Sequence, residues 1–211
     1  MTHLHRLVTD ASYGDLREPD PRAALTLPGA DGVAWMHQVH GSSVATVTIP
    51  GTTEEVDALV TDQPGLALAV LVADCVPVLL TDEDAGVIAV AHAGREGVRL
   101  GVVDATLDAM VECGASLANT WVHLGPSICG QCYEVPEELA AEFERLIPHS
   151  AKTSRWGTPS IDLKGPLASH LAGRVGTVTV DPRCTREDES LFSYRGDKET
   201  GRFAGLVWLE P

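Results

Sequence analysis

The chain has 211 residues, 44% of them hydrophobic, which suits one sizeable core over 1–211 better than two independent domains. Thirty acidic against fifteen basic residues leave a formal net charge of −15, which repels nucleic acid and anionic membrane surfaces, so an anionic substrate needs a local group of arginines. The longest apolar run, 66–80, is interrupted by Asp74 and Pro77 and falls short of the ~20 residues of a membrane helix.

The first residues, "MTHLHRLVTDASYG", lack the apolar stretch of a secretory signal. Five cysteines, an odd number, point to free thiols and a cytoplasmic location rather than to a disulfide framework. In chain order, "VAWMHQVH" (33–40), "SVATVTI" (43–49), "LALAVLVA" (66–73), "VPVLLT" (76–81) and "GVIAVAH" (86–92) are valine-rich and bounded by Gly, Pro or Asp, which predicts strands. "GVVDATLDAMVECG" (101–114) carries apolar residues at helical spacing and ends on glycine. The strand "TWVHL" and a glycine-rich turn lead to a second helix over 135–147, with Pro136 and glutamates in its first turn. A third helix is expected over 162–176, and two late strands, 177–180 and 205–209, to close the core. Strands dominate first and helices follow, so the fold class is α+β, a mixed β-sheet sandwich flanked by helices.

Two of the apolar runs carry groups that a buried strand does not need, Cys75 and His92, and "HQVHG" presents His40 beside a glycine. Three readings fit these residues. They are packing residues; or Cys75 is a nucleophile with His92 as its base; or His40, Cys75 and His92 hold a borderline-soft ion such as Zn²⁺, with an open fourth position for catalysis. "CGQC" (129–132) has the C-x-x-C spacing but lacks a second such pair and reads as a loop, with "GPSICGQCYEV" offering backbone amides to an anion. In "CTREDESLFSYRGDKETGR" (184–202), Arg195 and Arg202 suit phosphate, and Phe192 and Tyr194 suit stacking on a base; Arg183 and Arg186 lie close by.

"HQVHG", "ADCVP", "AHAG", "GPSICGQCYEV", "CT" and "FSYRGDKETGR" follow one another in the order of the YfiH-like family, once named polyphenol oxidase or laccase-like, and the chain resembles that family from about residue 33 to its end, with a divergent segment over 1–32. The resemblance implies a purine nucleoside phosphorylase with adenosine deaminase activity, zinc held by His40, Cys75 and His92, and purine nucleosides and phosphate as substrates; the sequence leaves the oligomeric state open, with a monomer favoured. Some members carry a peptidoglycan-editing role, so a Cys/His hydrolase of peptidoglycan precursors is one alternative; a non-catalytic zinc-binding paralogue acting as an interaction protein is another. Two departures bear on phosphate. Where the family reads "AHAGWRG" this chain reads "AHAGREG", placing Arg95 and Glu96 there, and "TDASYGD" (9–15) stands for an arginine-bearing "TR-x-GG". Arg95 or Arg99 is expected to compensate, with Glu96 opposing the anion.

Overall fold

A computed structural model describes residues 3–211. β1 (Leu4–Val8), a 3-10 turn (Ala11–Tyr13) and α1 (Pro19–Ala23) precede β2 (Gly32–Met36), β3 (Val44–Thr46), β4 (Gly51–Thr53), β5 (Ala58–Thr61), β6 (Leu66–Val72), β7 (Val76–Asp82) and β8 (Val87–Ala93). Then come α2 (Arg95–Leu100), α3 (Val102–Glu112), β9 (Trp121–Leu124), α4 (Glu137–Leu146), β10 (Ala151–Thr153), β11 (Pro159–Ile161), α5 (Lys164–Leu171), β12 (Thr177–Val180) and β13 (Phe203–Leu209). One large sheet runs β1-β13-β6-β2-β4 and a second β12-β9-β7-β8-β5-β3, while β10 and β11 form a separate two-stranded sheet. Both large sheets mix directions: β2 lies parallel to β6 while β13 is antiparallel to it, and β9 is parallel to β12 but antiparallel to β7. The chain is α+β, as its sequence order predicts.

The near-continuous apolar runs follow from burial on both faces. Side chains alternate along β6, so Leu68 and Val70 enter the space between the sheets with Leu59, Leu79, Val90 and Phe203, while Ala67 and Ala69 face Trp35, Leu206 and Trp208 on the outer side. Along β7, Val78 and Leu80 instead meet the helical layer at Leu107, Met110, Phe143 and Leu167. Each fully buried Leu or Val contributes about 1.5–3 kcal/mol relative to exposure.

Several boundaries differ from the sequence expectation, each for a local reason. The strand expected over 33–40 stops at Met36. Beyond it the Gln38 side chain pairs with Leu71 as a strand backbone would, donating to its carbonyl at 2.8 Å and accepting its N–H at 2.9 Å, and 37–40 becomes a tethered loop. The strand expected over 43–49 shortens to Val44–Thr46. The helix expected over 101–114 is α3, and a short helix that the sequence does not predict, α2, precedes it; the two meet at Gly101, whose left-handed φ of 78° turns the chain between them. The helix expected over 162–176 ends at Leu171, with Gly173 at φ 78° just beyond. Thr177–Val180 does not close the core; it is an edge strand with partly exposed residues, whereas β13 lies between two partners. β1, with the sequence LHRLV, lacks a strand's alternation and is recognisable as a strand only through its pairing with β13.

Candidate functional site

The two sheets deliver loops to one rim. Cys75 occupies the connection between β6 and β7, and His92 is the penultimate residue of β8, whose antiparallel register sets it opposite Pro77. His40 lies in the tethered loop, four residues beyond its strand, at a left-handed φ of 62°. A non-glycine residue in that region is held there by its surroundings. The holder is Asp57, fully buried just before β5: its carboxylate accepts the backbone N–H of Val39 (3.2 Å), His40 (2.9 Å) and Gly41 (2.6 Å).

The same carboxylate accepts Nδ1–H of His92 at 2.8 Å, which leaves Nε2 of His92 as its free ligand atom. The His40 and His92 rings meet edge to face with centroids 4.7 Å apart. One ligand atom from each of His40, Cys75 and His92 falls within 4.8 Å of the others. Burial alone would raise the Cys75 thiol, but the His92 charge and hydrogen bonds from His40 and His92 bring it down to about 6. Burial likewise disfavours the His92 cation, yet Cys75 and Asp57 lift it to about 9. Burial would raise Asp57 too, and the bonds from His92 and the amides keep it below the usual carboxylate range. Without an ion the site is thus a thiolate–imidazolium pair.

The three donors fit a metal. Gly94 leaves the space beside them open, since a Cβ there would meet Cys75 Sγ at 3.0 Å and His40 Cδ2 at 3.1 Å. Two imidazoles and one thiolate supply three corners of a coordination sphere, and the partly exposed His40 marks the side open to the cleft.

The cleft, about 920 Å³, is lined by this trio and by Arg17, Arg95, Tyr133, Tyr194, Arg195 and Arg202 among others. Its far wall is fastened by Asp74, buried and at φ 90°, whose carboxylate accepts Thr185 Oγ1 (2.6 Å), Ser193 Oγ (2.7 Å) and Arg195 N–H (2.6 Å). Its carbonyl also accepts the N–H of Ile128 at 3.0 Å. One acid therefore joins "ADCVP", "GPSIC", "CT" and "FSYRG" in space.

The structure sorts the other residues singled out in the sequence. Arg195 spans the Tyr133 ring at 4.6 Å and donates to Glu134 O at 2.6 Å. Arg202 lies 5.7 Å from the Tyr194 ring centroid and donates to Thr200 O and Gly201 O. Phe192 does not join them: it packs against the inter-sheet core, beneath Gly201, leaving Tyr194 as the aromatic ring of that segment at the cleft. Arg95 faces the cleft, but Glu96 does so too, accepting from Arg95 at 3.2 Å and from Arg99 at 2.7 Å. Arg183 is taken up by Asp181, and Arg186 lines a separate hollow with Cys132. Asp57 and Arg17 escape a reading by motif, and Tyr133, although inside "GPSICGQCYEV", is not singled out by it. Arg17 stands near where the family arginine is absent in sequence, and Asp57 is visible only as an acid immediately before an apolar strand.

Fold and site together define a class: two mixed sheets packed face to face, with a His/Cys/His trio able to hold a metal, two members on loops and one at a strand end, in an arginine-lined cleft. The chain belongs to the family described as multi-copper polyphenol oxidoreductase laccase, which matches residues 20–210. It is 50% identical over 183 residues to a protein of Streptomyces griseus named purine nucleoside phosphorylase ORF3, covering 84% of this chain and 74% of that one. It is 48% identical over 191 residues to purine nucleoside phosphorylase BQ2027_MB2173C of Mycobacterium bovis, covering 89% and 76%. The crystal structure of Neisseria meningitidis protein NMB0706 superposes with a TM-score of 0.82 at 29% identity, over 99% of this chain and 95% of that one. That of YlmD from Geobacillus stearothermophilus gives 0.76 at 27% identity, over 85% and 74%. Among the described residues no helix is long and apolar enough to cross a membrane.

Proposed function

We propose that the cleft is the active site of a zinc-dependent purine nucleoside phosphorylase, with deamination of adenosine as a second reaction of the same site. The observation that carries this reading is the convergence of His40, Cys75 and His92 in a cleft that Arg17, Arg95, Arg195 and Arg202 also line. The names of the Streptomyces and Mycobacterium relatives support it.

His40, Cys75 and His92 would hold the ion. When bound, Zn²⁺ supplies a Lewis acid and lowers the pKa of water toward ~7. Asp57 fixes the His92 tautomer and so aims Nε2 at the ligand position. The guanidinium groups supply paired donors for phosphate oxygens, and the Tyr194 face, partly exposed at the rim, suits stacking on a purine. In phosphorolysis a phosphate oxygen bonds to C1′ as the C1′–N9 bond breaks; the electron pair leaves on N9, which takes a proton, and ribose 1-phosphate and free purine depart. In deamination water replaces the 6-amino group and ammonia leaves.

Asp57, His92 and Cys75 also align as a thiol nucleophile, base and orienting acid do, which favours a Cys/His hydrolase as the second reading. The discriminating experiment incubates the protein, purified without added metal, with adenosine and inosine across a phosphate series, with and without chelator, alongside elemental analysis. The phosphorylase reading expects phosphate-dependent release of purine, loss of it on chelation, and zinc in the protein. Chelator-resistant turnover with a covalent adduct on Cys75 would establish the thiol enzyme. Copper in place of zinc, which a His₂Cys set also accepts, would reassign the site to redox chemistry.

A further inference from the structure

A second cluster of metal-ligating side chains lies outside the site described above, and it is built from the C-x-x-C segment that the sequence presents as a plain loop. One ligand atom from each of Cys129, Cys132, Cys184 and Glu187 lies within 4.8 Å of the others. We propose that these four residues form a closed structural site for one Zn²⁺, separate from the His40/Cys75/His92 set and independent of the reaction assigned to it.

Two tight turns present the donors in pairs. In the first, Cys132 N–H and Tyr133 N–H both donate to Cys129 O, at 2.9 and 3.0 Å, which folds the C-x-x-C segment back on itself. In the second, Glu187 N–H and Asp188 N–H both donate to Cys184 O, at 3.0 and 2.9 Å, bringing Glu187 round beside Cys184. The turns are set against each other by the parallel bridge between Ser127 and Cys184 and by a hydrogen bond from Cys129 N–H to Cys184 Sγ at 3.3 Å.

Three thiolates and a carboxylate complete a tetrahedral sphere with no open position, the arrangement of a structural rather than a catalytic ion. The surroundings supply the balancing charge. Arg155 pairs with Glu187, whose second carboxylate oxygen remains available as a ligand. Lys164, buried, donates from Nζ to Asp181 O and Arg183 O and lies within electrostatic reach of Cys184 and Cys129. A disulfide between any two of the cysteines would leave the third thiol and the carboxylate without a role. Apart from the thiols, the small cluster joining these loops contains only Ile128 and Tyr133, so little else packs them together. Because Ile128, Tyr133 and Arg195 line the cleft, an ion here would clamp both loops that form its far wall.

The test measures zinc per chain in the full protein and in three variants. Two equivalents are expected in the parent, one in Cys75→Ser, one in Cys129→Ser/Cys132→Ser, and none in the triple variant. In Cys75→Ser, bound zinc should protect Cys129, Cys132 and Cys184 from alkylation, chelation should expose all three and lower Tm, and Co²⁺ should give a thiolate charge-transfer band. Folded Cys75→Ser protein that binds no zinc or cobalt, with all three thiols freely alkylated, overturns the proposal. So does an intact mass showing two of these cysteines joined as a disulfide in reduced-lysate preparations. If the C-x-x-C variant fails to fold, the Cys75→Ser measurements decide alone.

Discussion

Asp57 and His92 form the most protected polar contact of the site: the carboxylate accepts Nδ1–H at 2.8 Å with its side chain wholly buried and that of the histidine 3% exposed. The same carboxylate holds three consecutive backbone amides of the His40 loop, so it governs two of the three candidate ligands. Asp57→Asn keeps the shape but removes the charge and turns an amide N–H₂ toward donors. Metal affinity is expected to fall ~10- to 100-fold. Competition against a chromophoric chelator measures it, and an unchanged affinity would show that Asp57 serves only to fold the loop.

In the metal-free protein the Cys75 thiol, at about 6, is mostly thiolate at neutral pH, and its reactivity should fall as pH drops through that value. Iodoacetamide labelling followed by peptide mapping should therefore modify Cys75 first at neutral pH. Cys132, pushed up to about 12 by burial and its neighbouring thiols, should lag far behind. Added zinc should suppress the Cys75 reaction. Labelling of Cys75 that is slow at neutral pH and rises only in alkali would contradict the ion pair with His92.

Asp74 accepts three short hydrogen bonds from the 185–195 segment while its own backbone is left-handed. Asp74→Ala removes the acceptor for two hydroxyls and an amide and places alanine at a positive φ. A destabilisation on the order of 3 kcal/mol or more is expected, read from urea denaturation. Asp74→Asn, which tolerates that backbone and keeps one carbonyl oxygen, should lose less. Equal losses in the two variants would assign the effect to something other than hydrogen bonding.

Glu96 occupies the cleft between Arg95 and Arg99 and, held by its hydrogen bond to Arg99, keeps its carboxyl below the usual range. It stays anionic at mildly acidic pH, so acid does not free the arginines. Glu96→Gln should lower the KM for phosphate ~2- to 5-fold, the scale of one exposed ion pair, and Glu96→Arg should lower it further. Purine release across a phosphate titration checks this. A KM unchanged or raised in both variants would place the anion site at Arg17, Arg195 and Arg202 instead.

Apolar runs and turn residues are enough to mark the strands 66–72, 76–82 and 87–93, because strands buried on both faces must be apolar throughout and end at Gly, Asp or Pro. They also exposed Cys75 and His92 as chemically out of place, and the motif order pointed to the family. Other features depended on contacts between distant segments. β1 is a strand because β13 pairs with it, at the other end of the chain. His40 reaches Cys75 through a loop that leaves its strand at Met36 and is held by Asp57, a residue no local pattern distinguishes from an ordinary surface acid. Phe192 and Tyr194 are two residues apart and chemically alike, yet only sheet packing decides that the first fills the core and the second meets solvent. Cys184 lies 52 residues from Cys132 in sequence and within ligand distance in space. Sequence fixes which groups are present and the period of the strands; which of them converge is decided by sheet register and loop closure, and those are properties of the folded chain alone.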